Sequence, residues 1–129
     1  MRIEHVALWT HQLEVMRDFY VEFFGGKSSE KYHNPQTGFE SYFISFTDGA
    51  RLELMQMPGI PRHLNALENQ ATGYIHIAIA TGSKDKVNTL TEKLRQRGYR
   101  VIGEPRTTGD GYYESVILDP DENRIELTT

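Results

Sequence analysis

Two similar stretches decide the fold of this chain: FESYFISFTDGARLEL at residues 39–54 and YYESVILDPDENRIEL at residues 112–127. Both run from an aromatic residue and a Glu-Ser pair through an alternating apolar segment to an Asp-containing turn. Both end on Arg, an aliphatic residue, Glu and Leu, so that Glu53 matches Glu126 at an offset of 73 residues. The chain therefore contains an internal repeat.

The Glu-Ser pairs give an offset that differs by one residue. Ser41 matches Ser115 at an offset of 74. Loops tolerate changes in length better than strands do, because loops lie at the surface and make fewer packing contacts. We therefore place the difference of one residue in the loop between the two strands.

The repeat extends to the beginning of each half. IEHVALW, from Ile3, resembles YIHIAIA, from Tyr74, and this match places His5 over His76. Helical periodicity follows each of these strands. The apolar positions of the two helices are Leu13, Met16, Tyr20 and Phe23 in the first half and Val87, Leu90 and Leu94 in the second.

The ends of these helices and the strands that follow them complete the predicted fold. Gly25-Gly26 ends the first helix, while Ser83 is a favourable N-cap and Gly98 a stop for the second. Three strands then follow in each half. We predict an α+β fold of two tandem βαβββ modules that form a curved mixed sheet around a metal cleft.

The linker between the modules begins at a turn rich in Pro and Gly. We place module 1 at about residues 1–57, the linker at about 58–73 and module 2 at about 74–129. The chain of 129 residues is long enough for one compact domain, so we treat 1–129 as a single domain.

Strand alternation brings one His and one Glu of each half to the same face of its sheet. His5 and Glu53 share the face opposite the helix in the first half, as His76 and Glu126 do in the second. Any one of them alone is typical of an ordinary strand residue. Because all four occupy matching positions of a repeat, we predict that they bind one divalent metal ion.

The composition limits what this site binds and where the protein acts. Cysteine is absent, so a metal must be bound by nitrogen and oxygen ligands, which suit Ni, Zn, Co, Mn or Fe. The net charge of −4 gives no reason to expect nucleic acid. No apolar run approaches the ~20 residues that span a membrane, and the N-terminus lacks the apolar core of a signal peptide. We expect a cytoplasmic protein that binds a small molecule.

The repeat and its four polar residues resemble the vicinal oxygen chelate superfamily, which includes glyoxalase I, bleomycin and fosfomycin resistance proteins, extradiol dioxygenases and methylmalonyl-CoA epimerase. The resemblance covers essentially the whole chain. DPDENRIEL is similar to the final hairpin of that family, with Glu122 where Gly is common. Extradiol dioxygenases and fosfomycin resistance proteins typically lack a carboxylate at Glu53, and the epimerase typically has Gln there. The His, Glu, His, Glu order resembles that of glyoxalase I, or lactoylglutathione lyase.

This resemblance implies a lyase or isomerase that acts on a hemithioacetal or another small 2-hydroxycarbonyl compound. The metal would stabilise an enediolate, and a metal-bound carboxylate would move the proton. The resemblance indicates Glu126 as this base and Glu53 as the symmetric candidate. It also implies a homodimer, in which each site draws its ligands from one chain or from both.

Two departures make glutathione doubtful as a co-substrate. Trp9 and Met57 occupy positions at which bacterial glyoxalase I usually has Arg and Asn. Neither binds a carboxylate as Arg does. Our candidates for substrate contacts are Trp9, Met57, Arg106 and Tyr113. A more apolar pocket would also involve Met55, Phe39, Phe43 and Tyr112, although Phe43 is more typical of a core residue.

Two other functions remain open. A metal-dependent oxygenase is disfavoured because Glu53 would take a position that substrate or oxygen needs. A non-catalytic binding or resistance protein is disfavoured because the four ligand residues persist. The remaining histidines have no partner in the repeat, and we predict that they lie at the surface: His11, His33 and His63.

Overall fold

The structure is a computed structural model, and it describes residues 1–62 and 66–129. The chain divides into two compact units, Met1–His63 and Leu64–Thr129. The division falls inside the segment 58–73 that we place as the linker. Of the described helices, none is long and apolar enough to cross a membrane.

The first unit contains one long helix and a mixed sheet. Strand β1 runs parallel to β5, and β5 pairs antiparallel with β4. Two short strands, β2 and β3, both pair with β4. The elements are β1 (His5–Trp9), α1 (Leu13–Phe24), β2 (Lys27–Ser28), β3 (Tyr32–Asn34), β4 (Phe39–Ser45) and β5 (Arg51–Gln56).

The second unit repeats this topology with one strand fewer. Its strand order is β6-β9-β8-β7, with the parallel pair again between the strand before the helix and the last strand. The elements are β6 (His76–Ala80), α2 (Lys84–Gln96), β7 (Val101–Thr107), β8 (Tyr113–Leu118) and β9 (Arg124–Thr128). The α+β class and the βαβββ modules are confirmed. In the first unit β2 and β3 together replace the single strand that we expected.

Both helices begin and end as the sequence predicts. The side-chain oxygen of Ser83 accepts a hydrogen bond from the backbone N–H of Lys86, which satisfies one of the free donors at the start of α2. Gly25 ends α1 in the left-handed conformation, and Gly98 follows α2 with a φ of +87°. A residue with a side chain adopts this conformation only with strain, which explains glycine at both positions.

Each helix buries its apolar stripe against one face of its own sheet. The stripe of α1 packs on the face that carries Ile44, Leu52 and Leu54, while that of α2 packs on the face with Ile117 and Ile125. The buried stripes are Leu13, Met16, Phe19, Tyr20 and Phe23 in α1 and Val87, Thr91 and Leu94 in α2. Burying one such aliphatic or aromatic side chain stabilises the fold by roughly 1.5–3 kcal/mol.

The sheet registers show that one part of the repeat alignment is wrong. Tyr42 pairs with Leu54, and Ser115 pairs with Leu127, the residue that matches Leu54. Both Tyr42 and Ser115 face the helix: the Tyr42 hydroxyl donates to Glu14 at 3.0 Å, and the Ser115 hydroxyl lies 2.7 Å from that of Thr91.

Tyr42 is therefore the structural partner of Ser115, and the offset is 73 residues in both strands. Ser41 instead pairs with Met55, on the face of Glu53. The identical Glu-Ser pairs misled the alignment by one residue. A shift of one residue exchanges the two faces of a strand, so this correction decides which side chains accompany Glu126.

Candidate metal site

The first unit brings His5 and Glu53 together. The Nε2 atom of His5 lies 3.7 Å from Oε2 of Glu53. His5 is the first residue of β1 and Glu53 is in β5, two register positions along the parallel pair. The side chain of His5 is 40% exposed and that of Glu53 is 15% exposed, so the pair lies at an accessible face.

The second unit repeats this pair with the same spacing. Nε2 of His76 lies 3.7 Å from Oε2 of Glu126, and the two side chains are 44% and 22% exposed. The register is also the same, because Ala7 is opposite Glu53 in one sheet and Ala78 is opposite Glu126 in the other. A methyl group at this position leaves room for the carboxylate beside the imidazole. The geometry of the site is thus duplicated within the chain.

The chemistry of each pair suits a divalent metal ion. A neutral imidazole nitrogen and a carboxylate oxygen both offer lone pairs, and first-row ions accept both. Two ligands of one ion, each bonded at about 2.1 Å, lie roughly 3 Å apart when they are neighbours. The observed 3.7 Å is therefore close to the required spacing.

The structure shows two such pairs, each within its own unit. Among residues 1–62 and 66–129, no three His, Asp or Glu side chains form a group that would hold an ion. That the four residues act together as ligands of one ion stays a prediction.

Two neighbours that the sequence analysis missed hold the ring of His5. The Nδ1 atom of His5 donates a hydrogen bond to the carboxylate of Glu4. Arg51 donates to the other oxygen of Glu4, at 2.8 Å from Nε and 2.6 Å from Nη2. These two interactions lower the pKa of Glu4, the hydrogen bond from His5 contributing most.

Phe43 belongs to the same group of side chains, contrary to the expectation that it lies in the core. Its ring meets the His5 ring edge-on, with centroids 5.4 Å apart, and the Arg51 guanidinium lies 4.1 Å above it. Phe43 pairs with Glu53 across β4 and β5, so the two side chains share a face. It is half-buried, and it forms one side of the His5 environment.

Glu114, a second missed residue, accompanies Glu126 in the second unit. Val116 pairs with Glu126, and strand alternation then places Glu114 on the same face. Burial raises the pKa of the Glu114 carboxyl, and the carboxylate of Glu126 raises it further. Arg106 offsets part of this effect, since its Nη2 lies 3.7 Å from Oε1 of Glu114. A divalent cation near Glu126 would also neutralise this concentration of negative charge.

The substrate candidates of the first unit lie on the predicted face. Trp9 shares the His5 face of β1, and its ring contacts that of Phe39 edge-on at 6.0 Å. Tyr32 contacts the other side of Phe39, also at 6.0 Å, and is 56% exposed. Met57 follows β5 and is half-buried. Trp9, Phe39 and Tyr32 form an exposed aromatic row, which we call the aromatic shelf.

The candidates of the second unit are divided between the two faces of its sheet. Arg106 pairs with Glu114 and lies on the Glu126 face. Tyr113 does not: its hydroxyl donates to Asn88 of α2 at 2.8 Å, and Lys84 lies 5.0 Å from its ring centroid. The structure places Tyr113 on the helix face because it precedes Glu114 by one residue. Tyr112 lies before β8 and is 58% exposed.

The other histidines are placed as follows. His11 is exposed, in the loop before α1. His33 is exposed on β3, with Nδ1 3.3 Å from the carboxylate of Glu40. Both are surface residues, as predicted. His63 lies outside the described residues.

Comparison with known proteins identifies the family. A model of the Glyoxalase/Bleomycin resistance protein/Dioxygenase superfamily matches residues 2–127. The chain belongs to this superfamily. The resemblance inferred from His5, Glu53, His76 and Glu126 is thereby confirmed at the level of the superfamily.

Two relatives are similar over nearly all of this glyoxalase-superfamily chain. YqjT, an uncharacterised protein of Bacillus subtilis, is 28% identical over 128 residues, which are 97% of this chain and 96% of YqjT. The mitochondrial methylmalonyl-CoA epimerase of Bos taurus is 24% identical over 123 residues, which are 94% of this chain and 68% of the epimerase.

Solved structures of glyoxalase I have the same fold. The trypanothione-dependent glyoxalase I of Leishmania major has a TM-score of 0.78 at 23% identity, over 100% of this chain and 86% of that one. Glyoxalase I of Zea mays has a TM-score of 0.80 at 25% identity, over 98% of this chain and 44% of the maize chain. The chain thus spans less than half of the maize enzyme.

Proposed function

We propose that the protein is a divalent-metal-dependent lyase or isomerase of the glyoxalase I type, acting on a small 2-hydroxycarbonyl or hemithioacetal substrate. The observation that carries this proposal is the duplicated pair of His and Glu with the same 3.7 Å spacing in both units. The carboxylate of Glu53 is decisive, because the resemblance assigns a fourth protein ligand at this position to glyoxalase I and not to the oxygenases or the epimerase.

The residues that would hold the ion are His5, Glu53, His76 and Glu126. Such an ion, of Ni, Zn, Co, Mn or Fe, supplies Lewis-acid stabilisation of negative charge on two adjacent oxygens of the substrate. Within the chain, His5 and His76 contribute neutral nitrogen donors. The two glutamates contribute the negative charge that balances a divalent ion.

Glu126 is the base in this proposal. Its carboxylate takes the carbon-bound proton of the substrate and returns it to the neighbouring carbon, which completes an isomerisation without any external reactant. Glu114, whose pKa is raised by burial and by Glu126, lies beside it and limits how far the Glu126 carboxylate turns away. Glu53 is the symmetric candidate, with the Phe43 ring as its cross-strand neighbour.

The aromatic shelf indicates the kind of substrate. Trp9 is 40% exposed on the His5 face, at the position where bacterial glyoxalase I usually has Arg. An indole ring offers apolar area and no charge for a carboxylate. We therefore expect the substrate to carry an apolar or aromatic group at this position, and we expect glutathione to be a poor thiol.

Methylmalonyl-CoA epimerase is the second candidate, because that protein of Bos taurus is 24% identical over 94% of this chain. Epimerisation at a carbon beside a carbonyl also needs two oxygen contacts and a carboxylate base. Glu53 argues against it, since the resemblance gives the epimerase Gln at this position. Activity on a thioester with an acidic α-carbon separates the two.

A homodimer is part of the proposal. Strands β1 and β6, which carry the two histidines, are edge strands of their sheets in the described chain. Edge strands present unpaired backbone N–H and C=O groups, which a second chain satisfies by strand pairing. The cytoplasmic location stays a prediction from the composition.

The experiment that tests the proposed function is a substrate screen on metal-loaded protein. Hemithioacetals of methylglyoxal with glutathione, a small aliphatic thiol and an aromatic thiol are compared, and oxygen uptake is recorded in parallel. We expect isomerisation without oxygen uptake, fastest with the apolar thiols. Oxygen consumption would favour an oxygenase, and metal binding without turnover of any compound would leave a binding protein.

A further inference from the structure

The residue before the first histidine differs between the two halves of the chain. Glu4 precedes His5, whereas Ile75 precedes His76. In the first unit the carboxylate of Glu4 lies between the His5 ring and the Arg51 guanidinium and accepts hydrogen bonds from both. Ile75 has no polar atom in its side chain, so the second unit has no such acceptor.

The position of the Glu4 carboxylate is fixed by several contacts. The backbone N–H of Arg51 donates to the Glu4 carbonyl oxygen at 3.0 Å, which attaches the segment before β1 to β5. The Arg51 side chain lies on the Phe43 ring at 4.1 Å, and Phe43 in turn touches His5. Glu4, Arg51, Phe43 and His5 thus form a closed ring of contacts, in which each side chain touches two others.

The Glu4 carboxylate determines which nitrogen of His5 carries the proton. An ionised carboxylate only accepts hydrogen bonds, so Nδ1 of His5 must be protonated to donate to it. In a neutral imidazole Nε2 then has the free lone pair, and Nε2 is the atom that faces Glu53 at 3.7 Å. A carboxylate that holds the far nitrogen of a histidine in this way fixes both the tautomer and the orientation of the ring.

We propose that Glu4 is a positioning residue that holds His5 in the Nδ1–H tautomer with Nε2 directed at Glu53, and that Arg51 keeps the Glu4 carboxylate in place. His76 lacks this support. Among the described residues, its one polar side-chain neighbour is Glu126. The two histidines therefore differ in preorganisation although their spacing to glutamate is the same. The role of this arrangement in metal binding rests on the proposed function, whereas the tautomer of His5 does not.

The first test measures the histidine tautomers of the metal-free protein by ¹⁵N-detected NMR, at a pH well above the ordinary histidine pKa of about 6.5. We expect the Nδ1–H form to dominate at His5, and a mixture of both forms at His76, which is the internal control. In Glu4→Leu the His5 signal should become a mixture like that of His76. Glu4→Gln retains an acceptor oxygen and should keep most of the Nδ1–H form.

The second test measures metal affinity by competition with a chelator of known affinity. Loss of a carboxylate that supports a ligating histidine typically weakens metal binding by about 10–100-fold. We expect this loss in Glu4→Leu, a smaller loss in Glu4→Gln, and none in Glu30→Leu, which removes an exposed carboxylate outside the contact ring.

The outcomes separate this inference from the proposed function. An identical mixture of tautomers at His5 and His76 in the wild type, or a His5 signal unchanged in Glu4→Leu, would overturn the role of Glu4. Absence of metal binding by the wild type would overturn the proposed function, and the NMR result would still decide whether Glu4 sets the tautomer.

Discussion

The two units of this chain use the same strands to place a His and a Glu, but they surround different members of the pair. In the first unit the histidine is supported, by Glu4 and by the Phe43 ring. In the second unit it is the glutamate, Glu126, that has polar company, from Glu114. The spacing between His and Glu is 3.7 Å in both.

This difference teaches that the duplicated strands fix the ligand spacing, while later substitutions around them divide the tasks. A supported His5 is suited to anchor an ion. Glu126, next to a carboxyl that keeps its proton to a higher pH than usual, is suited to exchange protons. The predictions below test this division, from the largest expected effect to the smallest.

The largest effect concerns the two glutamates. Glu126→Gln removes the proposed base but keeps an oxygen ligand, so we expect turnover to fall by about 10²–10⁴-fold, the usual contribution of a general base. Glu53→Gln, the matched variant, should lose less. Turnover is measured at equal metal content, and circular dichroism checks the fold. A Glu126→Gln protein with near wild-type turnover would show that Glu126 is not the base.

The next effect concerns the hairpin turns of the two units. Gly49 and Glu122 occupy matching turn positions, with φ of +83° and +65°. A side chain in this conformation costs roughly 1–2 kcal/mol. We therefore expect Gly49→Ala to lower the free energy of unfolding by about 1 kcal/mol, because no other atom lies within 4 Å of the added methyl group and only the backbone opposes it.

Glu122→Gly should have the opposite effect in the second unit. It relieves the backbone strain, less the entropy that glycine adds to the unfolded chain, for a net gain of up to about 1 kcal/mol. The exposed ion pair of Glu122 with Arg100, 3.3 Å apart, contributes little. Glu122→Ala is the control, since it removes the ion pair and keeps the strain. Equal denaturation midpoints for Gly and Ala at this position would contradict the account.

The smallest effect is the pH dependence caused by Glu114. Its pKa is raised in the folded protein, so the folded state binds more protons than the unfolded state between the ordinary glutamate pKa and the raised one. Stability of the metal-free protein therefore falls as pH rises through this window. We expect Glu114→Gln to be more stable than the wild type at neutral pH and equally stable below the ordinary glutamate pKa. A gain that is independent of pH would refute this origin.

The sequence predicted the features that depend on local pattern. The offsets of His5 to His76 and of Glu53 to Glu126, the alternation of strand faces and the Ser83 cap all follow from residue types and spacing, and the structure has them. The pairs of His and Glu were predictable for this reason.

The features that the sequence did not give depend on contacts across strands. Two identical Glu-Ser pairs suggested an offset of 74, whereas the ladders place Tyr42 opposite Leu54 and give 73. The faces of β4 and β8 followed from this alignment, so Tyr113 was expected at the site and Glu114 was overlooked. Glu4 lies just before β1, where strand alternation does not apply, and only the path of the Arg51 side chain reveals its role.

The measurement that tests the central claim most directly is metal stoichiometry by mass spectrometry, on the wild type, His5→Ala and His76→Ala, each after loading with Ni, Zn, Co or Mn. If the two units supply one shared site, the wild type binds about one tight ion per chain, and each substitution alone abolishes tight binding. Absence of binding by the folded wild type, or a tight ion retained by either variant, would contradict a site built from both halves.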